Sequence, residues 1–211
     1  MRNYIYAFVL FGLSFQSCDS KNSDTTSNNK VVQEKKELND SLTVVHSSSS
    51  IDTLLNSSDS LQGIHFHIVA TNEDGITSIT ISPSGLENFD ESFQAITNSK
   101  NVSYSIEDLD ADGSPELIVI AQLDDLKTDL FAYSTFNKKS MGLINFQENT
   151  PELKSEKAHL IKKEYAVVET CLSRRNTYQK EDGSTYVIQT DYKLIEGEAM
   201  KQLVKKKEYL Y

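Results

Sequence analysis

Within residues 62–211 apolar side chains recur at every second position in several short segments, and that spacing predicts β-structure. Ile64, Phe66 and Ile68 alternate with His65, His67 and Val69. Asn72, Glu73, Asp74 and Gly75 carry turn chemistry, and residues 76–82 follow with Ile79 and Ile81 on one face, which predicts a hairpin. Pro83 and Gly85 punctuate its end. Residues 102–106 alternate again, and residues 116–121 form a short continuous apolar run, the pattern of a central strand. Further strands are predicted at 130–134, 142–146, 164–174, 185–194 and 200–209, separated by turn residues such as Asp182-Gly183 and Glu196-Gly197. Residues 88–97 are the one candidate short helix. Many short strands without long helical periods predict an all-β fold, an antiparallel β-sandwich of about eight strands over residues 62–211.

The N-terminus sets the expected compartment. Arg2 precedes an uncharged apolar stretch, residues 4–15. It is shorter than the ~20 residues of a membrane span and has the length of the apolar core of a secretory signal. It ends at Ser17-Cys18, where the chain turns polar. A small residue followed by Cys resembles the lipobox of bacterial lipoproteins, with Phe15 and Gln16 departing from its commoner residues. The resemblance implies a signal peptide over 1–17, acylation of Cys18 and a lipid anchor in the cell envelope. The alternative is an ordinary cleaved signal with a chance Cys. Residues 18–61 are rich in Ser, Asn, Asp, Lys and Thr, as in Ser47-Ser48-Ser49-Ser50. Such a stretch buries too little surface to offset its ordering entropy, so it reads as a disordered tether.

The formal net charge is −10, and loss of Arg2 with the signal takes it to −11. That balance excludes nucleic acid as the expected partner and favours cationic proteins or metal ions. With Cys18 acylated, Cys171 has no partner for an internal disulfide. It lies in the apolar run 165–172 and reads as a buried small hydrophobe.

The sharpest local chemistry is Asp108-Leu109-Asp110-Ala111-Asp112-Gly113-Ser114-Pro115-Glu116. Carboxylates at alternate positions followed by Gly can fold around a hard cation, and oxygen ligands suit calcium. Asp108, Asp110, Asp112 and Glu116 are the candidate ligands. The twelfth position of a full helix-loop-helix calcium loop wants Glu, and here it is Val119. Strands rather than helices flank the loop, so one reading is a shorter interstrand calcium loop. A plain turn, with the carboxylates accepting backbone N–H groups, is the alternative. His65 and His67 share a strand face but no spacing supplies further zinc ligands. Lys201, Lys205, Lys206 and Lys207 read as the solvated face of an edge strand. No nucleophile elbow, Cys/His pairing motif or phosphate-cradling loop is present, so the chain does not read as an enzyme.

Several segments, in order, carry a resemblance. Gly85-Leu86-Glu87 comes first, then the run from Asp108 to Glu116, then Ala132-Tyr133-Ser134 with Asn137, Lys138 and Ser140. Residues 164–169, Leu172, Arg174 and Arg175 follow, and then Tyr192-Lys193-Leu194 and Gly197-Glu198-Ala199. Over residues 76–211 the chain resembles the periplasmic inhibitors of invertebrate-type lysozyme, the PliI family. The resemblance implies an antiparallel β-sandwich that blocks a cationic lysozyme without chemistry of its own. Members insert a Ser-Gly-x-Tyr loop into the enzyme's cleft. Here that position, between Ile120 and Phe131, holds neither the Ser, the Gly nor the Tyr. Asp124, Asp125 and Asp129 stand there instead as candidate contacts to a basic cleft. The alternative is a calcium-stabilised envelope domain with an unrelated partner. A homodimer is compatible with either reading.

Overall fold

The computed structural model describes residues 50–89, 91–149 and 157–211. The signal peptide over 1–17, the lipid site at Cys18 and the tether up to residue 49 lie outside the described residues. The described residues contain no helix and are all-β, with thirteen strands in three sheets.

The first sheet runs β1 (Asp52–Leu61), β2 (Ile64–Glu73), β3 (Ile76–Ser84) and β4 (Phe93–Thr97), in chain order. The second runs β5 (Asn101–Glu107), β6 (Glu116–Gln122), β7 (Thr128–Phe136) and β8 (Ser140–Leu143). The third contains β9 (Asn145–Phe146), β10 (His159–Val168), β11 (Cys171–Gln179), β12 (Thr185–Ile195) and β13 (Gln202–Leu210), ordered β10-β11-β12-β13-β9. Every pairing is antiparallel except β13 with the two-residue β9.

Alternation of side chains explains how three sheets share two cores. On β2, Ile64, Phe66, Ile68 and Ala70 point inward while His65 and His67 face solvent. Burying each of the three larger side chains contributes about 1.5–3 kcal/mol. They pack with Ile79 and Ile81 of β3 against Leu117, Val119 and Ala121 of β6. The intervening residues of β6, Ile118 and Ile120, point the other way, into a second core with Leu172, Tyr192, Leu194 and Leu203 of the third sheet. The second sheet is therefore the middle layer. That is why residues 117–121 are apolar without interruption: both faces of β6 are covered.

The β2–β3 hairpin forms as its sequence predicts. Asp74 and Gly75 both take positive φ, 50° and 84°, the two-residue turn whose twist matches flanking strands.

Four boundaries differ from the sequence reading. The stretch read as tether ends earlier, because β1 spans Asp52–Leu61 and pairs with β2 along its whole length. Ser and Asn there hydrogen-bond as an edge strand, and Leu54 and Leu55 pack on the first core. The candidate helix at 88–97 is replaced by β4, because Ala95 and Thr97 alternate into the core beside β3. The single strand predicted at 164–174 is two, β10 and β11, joined by Glu169-Thr170 with Glu169 at φ 53°. Residues 142–146 divide between layers: β8 ends at Leu143, Ile144 is buried in the second core, and β9 joins β13. Strand count accordingly exceeds the expected eight.

Candidate functional site

The acidic loop connects β5 to β6 and is folded by its own carboxylates. Asp108 accepts the backbone N–H groups of Asp112 and Gly113, both at 3.0 Å, and the side-chain amide of Gln62 at 2.7 Å. Asp112 accepts the N–H of Ser114 at 2.7 Å. Gly113 sits at φ 85°, a conformation that a side chain would strain, so the Gly at this position is required by the turn. Glu116, the first residue of β6, is fully buried and points towards the third sheet. It accepts the N–H of Leu109 and the hydroxyl of Ser134, each at 2.8 Å.

Lys201 enters this loop from the other end of the chain. It immediately precedes β13 and is 1% exposed. Its ammonium lies 2.7 Å from Asp110, 2.6 Å from Asp112 and 3.4 Å from Glu116. The sequence reading of Lys201 as part of a solvated edge is thus corrected. Its place before β13, against the middle layer, carries it inward, whereas Lys205, Lys206 and Lys207 are exposed. Burial works against charge on Lys201, but hydrogen bonds to Asp110 and Asp112 outweigh it and hold the ammonium above its usual range. Burial also pushes the Glu116 carboxyl up to about 7, against the pull of Leu109, Ser134 and Lys201. For Asp112 burial is outweighed by Lys201 and Ser114, and the carboxyl is held below its usual range.

All four predicted ligands meet here. Oxygens of Asp108, Asp110 and Glu116 lie within 4.8 Å of one another, as do those of Asp110, Asp112 and Glu196, so either set could hold a metal ion. The sequence reading missed Lys201 and Glu196. Glu196 sits in a turn signal, but nothing local marks Lys201 as different from the lysines beside it.

The three candidate partner contacts have different fates. The loop after β6, residues 123–127, is closed by N–H groups of Leu123 and Asp124 donating to the carbonyl of Lys127. The Asp124 carboxylate accepts the N–H groups of Leu126 and Lys127, both at 2.8 Å, which hold it below the usual carboxylate range. Asp124 is therefore an internal cap of the loop. Asp129 accepts the hydroxyl of Thr97 at 2.5 Å and serves the junction with β4. Asp125 keeps its side chain exposed, while its backbone carbonyl accepts the N–H of Lys163 in β10. Leu123 and Leu126 flank it, 38% and 44% exposed, and line an open cavity of about 380 Å³ with Thr97, Thr128 and Lys163.

A second ion cluster, around the buried Arg174, was not legible in the sequence. Arg174 of β11 is 0% exposed, points to the inner face of the third sheet, and donates to Glu148 at 2.8 Å and to Thr190 at 3.3 Å. Lys163 lies 3.1 Å from the same Glu148 oxygen. Burial would raise the Glu148 carboxyl, but Lys163 and Arg174 together hold it below its usual range. Arg174 also lies over the Tyr192 ring, 5.7 Å from its centroid. The remaining candidates are plain. His65 and His67 face solvent, and His67 bonds Ser58 at 2.8 Å. Cys171 is half-buried rather than buried, because it begins β11 at the turn, and Lys206 reaches its sulfur at 3.3 Å.

Charge is unevenly spread along the chain. Residues 50–132 carry fifteen acidic side chains against only Lys100 and Lys127. Residues 133–211 carry eleven acidic against fourteen basic side chains. The first two sheets, up to most of β7, are thus the acidic part. Comparison with protein-family models, with curated proteins and with solved structures gives no match for this chain.

Proposed function

We propose that this protein is a non-enzymatic, lipid-anchored envelope binding module that docks on a cationic lysozyme and blocks it. The observation that carries the reading is the loop 123–127. It presents Asp125 between two exposed leucines, at the edge of an acidic half holding fifteen carboxylates against two lysines. Exposed apolar side chains beside a charged group are surface that a partner can cover, and the acidic field would steer a cationic partner to it. The loop is held closed by Asp124, so little ordering would remain to be done on binding.

The test is a turbidity assay with invertebrate-, chicken- and goose-type lysozymes. The protein would be the compact unit His46–Tyr211, which includes β1. Stoichiometric loss of lysis with one class, weakened by salt and by Asp125→Ala, is expected. Folded protein that inhibits no class overturns the reading.

A second reading, a calcium-stabilised envelope domain with an unrelated partner, draws on the clustered oxygens of Asp108, Asp110 and Glu116. It has to contend with the cation already among them.

A further inference from the structure

We infer that the Asp108–Glu116 loop is a cation site whose resident cation is the ammonium of Lys201, supplied by the chain itself in place of a divalent ion. The inference is independent of the lysozyme reading.

Three features carry it. The first is stoichiometry. An ammonium has three donors, and Lys201 meets three carboxylates, Asp110, Asp112 and Glu116, at 2.7, 2.6 and 3.4 Å. The second is burial. The Lys201 side chain is 2% exposed and Glu116 is 0% exposed, and charges taken that far from water persist only when paired. The third is exclusion. Calcium binds oxygens at about 2.3–2.6 Å and takes six to eight of them. An ion on Asp110 and Glu116 would sit against the ammonium that those oxygens already hold. Other oxygens are committed as well: both of Asp108 to N–H donors of the loop and Gln62, and both of Glu116 to Leu109 and Ser134. Asp110 Oδ1 is the exception, buried with no hydrogen-bond partner, and it would become the first ligand if the ammonium left.

The arrangement also ties the layers together. Glu116 belongs to the middle sheet, Lys201 leads into the third, and 85 residues separate them in the chain. A dissociable ion would make this junction depend on the calcium of the surroundings; a lysine does not.

The experiment is thermal unfolding of the full chain in CaCl2 or EDTA at fixed ionic strength. Alongside it, NMR would observe the Lys201 ammonium, which burial should protect from exchange. Wild type is expected to shift by less than about 1 °C between the two conditions, since a ligand that does not bind the folded state leaves its stability unchanged. Its ammonium resonance should not move with CaCl2. Lys201→Gln is expected to melt lower and to regain several degrees in about 5 mM CaCl2. Wild type stabilised by calcium, or a Lys201 resonance displaced by it, would overturn the inference. So would a folded Lys201→Gln protein that gains no calcium response. Should Lys201→Gln not fold, the wild-type resonance decides: protected and unmoved supports the resident ammonium, displaced refutes it.

Discussion

The ion clusters around Lys201 and Glu148 sit in the same interlayer and invert each other's composition. At Lys201 one ammonium faces three carboxylates; at Glu148 one carboxylate faces an ammonium and a guanidinium. Both lie on the inner side of the third sheet. Arg174 pairs in register with Thr190 of β12, while Gln202, next to Lys201, pairs with Ile195 at the end of the same strand. Five residues along β12 offset them by about 16 Å in the strand direction. They differ in water. Lys201 and Glu116 are sealed, whereas the Glu148 side chain is 38% exposed. The sealed cluster should therefore be the more costly to break and the exposed one the more readily screened.

Lys201→Met should show the largest effect. It leaves three clustered carboxylates without their cation, a loss of about 3–5 kcal/mol in urea unfolding. Adding Glu116→Gln should restore part of that loss, and strict additivity of the two changes would mean the residues do not act as a pair. Arg174→Met should cost less, about 2–3 kcal/mol, because Lys163 still neutralises a Glu148 that water can reach. A cost equal to that of Lys201→Met would erase the proposed contrast.

pH should separate the clusters by sign. Glu116 is raised from 4.5 to about 7, so between those values the folded protein keeps a proton that the unfolded chain releases. Its contribution falls as pH climbs through that window and is flat above it, and Glu116→Gln should flatten the slope. Glu148 is lowered, so its contribution is present above the ordinary carboxylate range and is lost as pH falls through its folded value. Glu148→Gln should lower stability at neutral pH, flatten the loss of stability on acidification below the ordinary carboxylate range, and leave the slope between 4.5 and 7 unchanged. Chemical unfolding from pH 3 to 8 measures both. The smallest stability effect belongs to Asp125→Ala, within about 0.5 kcal/mol as for a surface change. Its expected loss is in lysozyme inhibition alone. Asp124→Ala would confuse that test, since it removes the cap that closes the loop.

Much of the fold was legible because strand periodicity is a property of neighbours. Ile64, Phe66 and Ile68 predicted an inward face, and residues 116–121 predicted a central strand; both hold. The acidic loop was legible for the same reason: Asp108, Asp110, Asp112 and Gly113 fold it through contacts two to five residues apart. What failed were places where local signal is weak or shared. β1 carries Ser and Asn like the residues before it in the sequence, and only its pairing with β2 makes it a strand. Glu169-Thr170 is a turn without Gly, Pro or Asn to mark it.

The sequence by itself determined that this chain is β-structured and acidic, and that it carries a loop of alternating carboxylates closed by Gly113. The tertiary structure alone decided that the strands stack in three layers and that Lys201, rather than any lysine near it, meets that loop. The reason is physical. Periodicity and turn chemistry act over a few residues and are written where they act. An ion pair between residues 85 positions apart depends on which layers pack, and that is settled only when the apolar faces of β6 are both covered.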